Sequence, residues 1–355
     1  MRYLRHANAT TRALMKRITA EQCAIVLVNF NNAADTLQCL EAIYGLRHGP
    51  ASIVVVDNGS KQREKERLFA GWRTIADSFG KATPEEHVGS PDSAYLSQSL
   101  FVAMDENRGF SGGNNAALRL LLAEGARPNV LAVWLLNTDA LPRPDALDAL
   151  CQRLDETGAA ACGSTLLYMD APQVTQAAGG SSFDPWTGRS SFLCGQKPLE
   201  TVRKVPPETV ERRMAYVVGA SMLVRRETFA ITGLLPEEYF LYYEDTAFGL
   251  AVRRAGLRLA WAPQSEVLHK EGGSSKATSG PVTGIWRSVM TDCLSLRNRF
   301  YLLRQYHPLH LPIALLSLAG ILYLRVRRGQ MRRIPALLGA VMDGLLGRMG
   351  PPTKA

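Results

Sequence analysis

Three uninterrupted apolar runs constrain this chain more than any other feature: Cys23–Phe30 (CAIVLVNF), Ser52–Val56 (SIVVV) and Val130–Leu136 (VLAVWLL). A strand with one face in water alternates apolar with polar residues. A continuous run is apolar on both faces, so its sheet must be covered on both sides. Segments of helical period lie between the runs. Asp35–Leu46 carries Leu37, Leu40, Ile43 and Tyr44; Glu64–Phe79 follows the second run, and Gly113–Glu124 precedes the third. Leu100–Met104 adds a further strand. Such alternation predicts an α/β domain built on a parallel sheet with helices on both faces. With 46% hydrophobic residues in 355, the chain can bury that core.

Ligands of such sheets bind beyond the carboxyl ends of the strands. Three polar sets follow the runs there: Asn29-Phe30-Asn31, Asp57-Asn58-Gly59-Ser60 and Asn137-Thr138-Asp139. Asp57 is suited to accept hydrogen bonds from a nucleotide base or ribose, or it simply closes an Asx turn. Asn137 and Asp139, two residues apart, can point at one hard divalent cation, though polar turns after strands are common. Glu106–Asn115 (ENRGFSGGNN) sets Gly109, Phe110, Gly112 and Gly113 before a helix that Asn114 or Asn115 could cap. It matches neither the dinucleotide nor the P-loop fingerprint. His269 closes another short apolar run; it joins a metal site only if folding brings it to Asp139. In FLYYEDTAFGLAVRRAG (Phe240–Gly256), Glu244 and Asp245 stand side by side where an apolar segment meets a helix. Asp245 is either the cap of that helix or a base able to take a proton from a substrate hydroxyl.

The formal net charge of +9 is concentrated at the ends. Arg2, Arg5, Arg12, Lys16 and Arg17 form a basic N-terminal segment (1–20), and Arg325, Arg327, Arg328, Arg332 and Arg333 form a second cluster. Basic ends suit anionic partners, either nucleic acid or an acidic membrane surface; nothing places aromatics among the arginines in a reading surface, which argues against nucleic acid. The six cysteines include no CxxC pair and read as reduced, buried thiols of a cytosolic protein. No apolar h-region of signal-peptide type follows the N-terminal basic residues, so no secretory signal is expected. Lys81–Ser97 and Gly272–Gly284 read as loops. Leu309–Leu324 is apolar but about a turn short of a spanning helix. After it, Ile334, Leu337, Leu338, Val341, Met342, Leu345, Leu346 and Met349 trace one helical face. Residues 276–355 are thus expected to form a helical region that associates with a membrane surface, or else packs on the domain or on a second copy in a homodimer.

In order, DNGS, ENRGFSGGNN, WLLNTDA, VVGASMLVRR, FLYYEDTAFGLAVRRAG and VLHKEGGSS are far more specific together than singly. From about Cys23 to Ser275 the chain resembles the family 2 inverting glycosyltransferases of GT-A fold, especially their rhamnosyltransferase-like branch. The resemblance implies a Rossmann-like mixed sheet flanked by helices over 21–275, binding a nucleotide-diphosphate sugar. It implies Asp245, beside Glu244, as catalytic base. Asn29, Asp57, Asn58, Gly109, Phe110, Gly112, Asn114, Thr138 and Gly219 would bind substrate. Asn137, Asp139 and His269 would hold Mg²⁺ or Mn²⁺. The implied reaction is inverting transfer of a sugar, L-rhamnose as first choice, to a hydroxyl of a surface glycan or lipid-linked acceptor, on the cytoplasmic face of the inner membrane. The chain departs from the pattern at Asn137, a neutral ligand, and at Ala247 and Ala251, where relatives often carry an acid and an arginine. Those departures keep open a catalytically silent nucleotide-sugar-binding scaffold. A sugar nucleotidyltransferase would want a Gly-rich basic loop after the first strand, where Asn29–Ala34 (NFNNAA) has neither Gly nor Lys.

Overall fold

The computed structural model describes residues 17–87, 98–123, 125, 129–270 and 288–352. Most of the basic N-terminal segment, residues 88–97 of the Lys81–Ser97 loop and all of the Gly272–Gly284 loop lie outside the described residues.

The first half folds as the apolar runs dictate. In order come β1 (Cys23–Asn29), α1 (Ala33–Tyr44), β2 (Ser52–Asn58), α2 (Gln62–Ser78), β3 (Glu85–His87), β4 (Ser99–Met104), α3 (Gly109–Leu122) and β5 (Ala132–Leu136). Strands β3, β4, β2, β1 and β5 lie side by side and all parallel. Alternation then sorts each run to its two faces. Ile25 and Leu27 pack with Leu40 and Ile43 of α1 and Trp72 of α2; Ala24 and Val26 pack with Leu118 and Leu121 of α3.

The sheet as a whole is mixed rather than parallel. After β5 follow β6 (Ala140–Pro142), α4 (Ala146–Thr157), β7 (Ala161–Tyr168), β8 (Ala171–Ala178), β9 (Gly180–Asp184) and β10 (Arg189–Phe192). Two short helices, α5 (Leu199–Val202) and α6 (Pro207–Glu211), lead to β11 (Tyr216–Val217), β12 (Ser221–Arg225), α7 (Arg226–Thr232), α8 (Glu244–Arg254) and β13 (Leu259–His269). The order continues β5-β12-β7-β13-β6, with β8 on the remaining half of β7 and a separate small sheet β10-β9-β11. Strand β12 runs antiparallel to both β5 and β7. A continuous apolar run reports burial on both faces, not strand direction, which depends on the connections. Here β12 is entered directly from β11 of the small sheet, without a helical crossover.

Helix α3 starts four residues earlier than the sequence suggests. Asn107 Oδ1 accepts from the Gly109 N–H at 2.8 Å and the Phe240 carbonyl accepts from the Phe110 N–H at 2.8 Å, so the glycines form the first turn. Asn114 and Asn115 therefore lie inside the helix and cap nothing. Gly109 is required twice over: its φ is +72°, and a Cβ there would overlap the Phe240 carbonyl.

Three helices close the chain: α9 (Val289–Tyr306), α10 (Leu311–Arg327) and α11 (Ile334–Leu346). Leu337 and Val341 of α11 are buried with Leu296, Phe300 and Leu303 of α9. The approach is close enough that a side chain at Gly344 would strike the Arg297 carbonyl. The apolar face expected of α11 is thus divided, because Leu338, Met342 and Leu346 remain exposed. Helix α10 differs. With the turn before it, Pro308–Arg327 spans 20 residues, long and apolar enough to cross a membrane, and within it only Ala314 and Leu318 are buried. The helical stretch is therefore longer than the apolar run alone suggests.

Candidate active site

The strand ends bring three of the expected residues together. Antiparallel pairing of β13 with β6 sets His269 opposite Ala140, and His269 Nε2 lies 3.4 Å from Asp139 Oδ1 and 3.3 Å from Asn137 Nδ2. On its other side, His269 Nδ1 is 2.8 Å from Oε1 of Gln176, a buried residue of β8. That acceptor places the proton on Nδ1 and leaves the Nε2 lone pair facing Asp139. Among the described residues no third His, Cys, Asp or Glu joins them, and the third position belongs to the Asn137 amide. A carboxylate, a neutral imidazole and an amide that can turn its oxygen inward fit a divalent cation, and the nitrogen ligand suits Mn²⁺ better than Mg²⁺. Thr138, between the two, is half-buried.

At the end of β2, Asp57 is fully buried. It accepts from Asn29 Nδ2 at 2.8 Å and from the Ser60 N–H, three residues on, at 2.9 Å, so it closes its own turn and Asn29 steadies the carboxylate. Asn29 is itself fixed by the Thr36 hydroxyl at 2.9 Å. The Asn58 amide turns to the protein, donating to the Gly109 carbonyl at 2.9 Å and accepting from the Arg108 N–H at 3.0 Å. Asn114 donates to the Phe110 carbonyl at 2.9 Å. Asn58 thus ties the Gly-rich turn, with Gly112 buried inside it, to the sheet edge, while Asn114 braces that turn from within the helix.

The acid pair sits at the end of a strained loop. Phe240, Tyr242 and Tyr243 have φ of 62°, 71° and 71°, each costing on the order of 1–3 kcal/mol in a residue with a Cβ. Helix α8 begins at Glu244, so Asp245 is inside its first turn rather than at the cap. Asp245 accepts from the Gly219 N–H at 3.2 Å and the Thr246 N–H at 2.7 Å. A Cβ on Gly219 would stand 3.5 Å from both the Phe110 ring and Asp245, so Gly219 joins the Gly-rich turn to the acid. On its other side Asp245 lines a cavity of ≈ 630 Å³ together with Tyr216, Tyr242 and Phe192.

The two acids are made unequal by their surroundings. Glu244 is buried and its Oε2 has no hydrogen-bond partner. Burial, then the neighbouring Asp245 carboxylate, pushes its carboxyl up to about 8. Burial also raises Asp245, but the hydrogen bonds from Gly219 and Thr246 pull it back. Near neutral pH the proton belongs on Glu244 and the charge on Asp245. Unfolded, Glu244 ionises in the ordinary carboxylate range; folded, it keeps its proton to about 8. Unfolding releases a proton between those limits, so stability falls as pH rises through the window, by roughly 1.4 kcal/mol per pH unit at most. Thermal melts should show Glu244→Gln losing less melting temperature than wild type from about pH 5 to about pH 8. Equal losses would mean that Glu244 ionises normally.

Sequence reasoning missed the residue that holds this loop. Asn298 of α9 is fully buried, and its Nδ2 donates at 2.8 Å to the carbonyls of Tyr239, Leu241 and Tyr242. Tyr239 and Tyr306 add hydroxyl bonds, to Gln305 at 2.9 Å and to the Ala247 carbonyl at 3.3 Å. Ala247 is buried with Tyr239 and Leu302, so α9 packs closely where relatives of the family pattern carry an acid. Nothing local singles out Asn298, one of several polar residues along α9.

Residues 21–280 match the profile of the glycosyltransferase-like family 2. The dTDP-rhamnosyl transferase RfbF of Shigella flexneri is 22% identical over 329 residues, covering 92% of this chain and 96% of that protein. An N-acetylglucosaminyl-diphospho-decaprenol L-rhamnosyltransferase of Mycobacterium tuberculosis is 37% identical over 68 residues; that match spans 19% of this chain and only 22% of the relative. Among solved structures, S. aureus TarS 1–349 superposes with a TM-score of 0.52 at 13% identity, over 92% of this chain and 82% of that one. GalNAc-T7 with UDP, GalNAc and Mn²⁺ gives 0.53 at 12% identity, over 81% and 48%. These likenesses establish the GT-A fold, with its mixed sheet and flanking helices. With the profile matching well over half of its length, the chain belongs to glycosyltransferase family 2.

Proposed function

We propose that this enzyme moves L-rhamnose from a deoxythymidine-diphosphate donor to a hydroxyl of a growing surface glycan or lipid-linked acceptor, with inversion at the anomeric carbon. The observation that carries the reading is the position of Asp245. Its carboxylate is bonded to Gly219, next to Phe110 and the Gly-rich turn, and opens on the other side into the cavity. A base must stand between donor and acceptor, and this carboxylate faces the cavity on one side and meets the Gly-rich turn through Gly219 on the other. The rhamnose assignment rests on the names of the Shigella and mycobacterial relatives.

In this reading the nucleotide lies along the strand ends, with Asp57 accepting from its base or ribose and Thr138 and Gly109–Gly112 alongside. Asp139, His269 and Asn137 would hold a divalent cation, which when bound neutralises charge on the departing diphosphate. Asp245 takes the proton of the acceptor hydroxyl as its oxygen bonds to the anomeric carbon; the bond to the diphosphate oxygen breaks and its electron pair leaves with the nucleotide. Glu244 keeps its own proton and leaves the charge on Asp245. The exposed α10 and the arginines after it support a position at the cytoplasmic membrane surface.

The test is incubation with a panel of nucleotide sugars, with and without Mn²⁺, following release of the nucleoside diphosphate. Deoxythymidine-diphosphate rhamnose should be consumed, and only with the metal. Consumption of a uridine-diphosphate hexose instead would change the donor; no response to any donor would favour the silent scaffold.

A further inference from the structure

The clamp on the strained loop lies outside the part of the chain that matches the family profile. That match ends at residue 280, whereas α9 runs from Val289 to Tyr306. The family match therefore says nothing of α9, but its packing does. Four successive carbonyls of the loop are engaged by two different elements. That of Phe240 accepts from the Phe110 N–H in the first turn of α3 at 2.8 Å. Those of Tyr239, Leu241 and Tyr242 accept from Asn298 Nδ2, each at 2.8 Å. Two N–H groups thus serve three carbonyls. The amide is itself oriented, because Arg297 Nε donates to Asn298 Oδ1 at 3.1 Å.

The loop needs such a hold. Phe240, Tyr242 and Tyr243 keep φ of 62°, 71° and 71°, and Tyr239–Tyr243 (YFLYY) contains no glycine to relieve the strain. A backbone of this kind persists only where its surroundings over-determine it. Tyr243 is also the residue from which α8 starts, two positions before Asp245. With its three carbonyls released, the loop would relax toward negative φ and turn the first residues of α8 with it. The Asp245 carboxylate would then leave the Gly219 N–H, 3.2 Å away, through which it meets the Gly-rich turn. Further along α8, Phe248 and Val252 are held in the main core, so the helix itself would stay.

Resting on the reading of Asp245 as base, we propose that Asn298 is a positioning residue for sugar transfer. By holding three carbonyls of the loop it sets the place of the Asp245 carboxylate, and the Tyr306 hydroxyl adds to this through the Ala247 carbonyl. Helix α9 thus belongs to the catalytic machinery and is more than a support for α10 and α11. Asn298 is fully buried and does not line the cavity, so its effect on the reaction passes through the loop alone.

The test is a double-mutant cycle on the full-length protein, with Asn298→Ala made in wild type and in Asp245→Asn. The rate is followed as release of deoxythymidine diphosphate from deoxythymidine-diphosphate rhamnose, with Mn²⁺ and with water as the acceptor. In wild type, Asn298→Ala should lower kcat about 10²-fold, the cost of misplacing a reacting group by about 1 Å, and leave KM for the donor within about twofold. In Asp245→Asn the same substitution should cost less than about threefold, because a residue that acts through the base then has nothing left to position. A merely structural residue would cost the same in both backgrounds. Equal losses would therefore overturn the proposal, as would a loss confined to KM or a rate near wild type. If Asn298→Ala does not fold, Tyr306→Phe decides in its place, since it removes only the hydroxyl bond to the Ala247 carbonyl. It should cost about threefold in wild type and nothing in Asp245→Asn; equal losses, or none in wild type, would again overturn the proposal. If Asp245→Asn itself keeps the wild-type rate, the reading of Asp245 as base falls and this role of Asn298 with it. If Asp245→Asn loses the rate while the cycle shows no coupling, only the role of Asn298 falls.

Discussion

Asp245→Asn is expected to lower the rate of sugar transfer about 10³-fold, within the range that a positioned general base contributes. The substitution is close to isosteric, and the amide oxygen can still accept from Gly219 and Thr246, so the first turn of α8 should keep its place. What it removes is the capacity to take a proton. Donor affinity should change no more than about twofold, because Asp245 meets the donor side only through Gly219 and the nucleotide residues lie at other strand ends. Glu244 cannot substitute. Its carboxyl is buried and holds its own proton up to about 8. Steady-state rates with titration of the nucleotide sugar on the same protein separate the two effects. A rate near wild type would remove Asp245 from the chemistry. Parallel loss of rate and donor binding would mean that it is structural.

Asp139→Ala should have the next largest effect, on the metal. Of the three side chains facing one another, only Asp139 is a carboxylate; His269 brings an imidazole and Asn137 an amide. Removing a partner that merely orients a ligand costs 10- to 100-fold in metal affinity, so loss of the one carboxylate should cost on the order of 10²-fold or more. Mn²⁺ titration by calorimetry, without acceptor or turnover, reads this directly. Donor binding should become insensitive to Mn²⁺ in the variant. Unchanged Mn²⁺ affinity would place the metal elsewhere and leave the Asp139–His269 contact as an ordinary buried pair.

Much of the fold was legible because burial on both faces leaves a plain mark. The runs at β1, β2 and β5 fall within a residue or two of their expected bounds, and the polar residues that end them form the site edge. His269 was legible only as a candidate, since nothing local distinguishes a structural histidine from a ligand. Pairing of β13 with β6, a long-range contact, is what brings it to Asp139. The antiparallel β12 was hidden, because an apolar run does not encode strand direction. The Gly-rich turn misled for a different reason. Glycine disfavours helix locally, yet the Asn107 side chain and the Phe240 carbonyl hold the first turn of α3. The role of α9 was least visible of all. Asn298 binds three carbonyls some 56 to 59 residues away in sequence, and such a clamp exists only in the folded chain. It also changes the meaning of Ala247. A small residue read as missing polar support is the surface against which α9 closes on the strained loop.

The most direct measurement of the central claim is the Mn²⁺-dependent incubation with deoxythymidine-diphosphate rhamnose and acceptor, read by NMR at the anomeric carbon of the product. A single displacement with Asp245 as base predicts a product of inverted configuration, formed by wild type and nearly absent with Asp245→Asn. A product that retains the donor's configuration would contradict it.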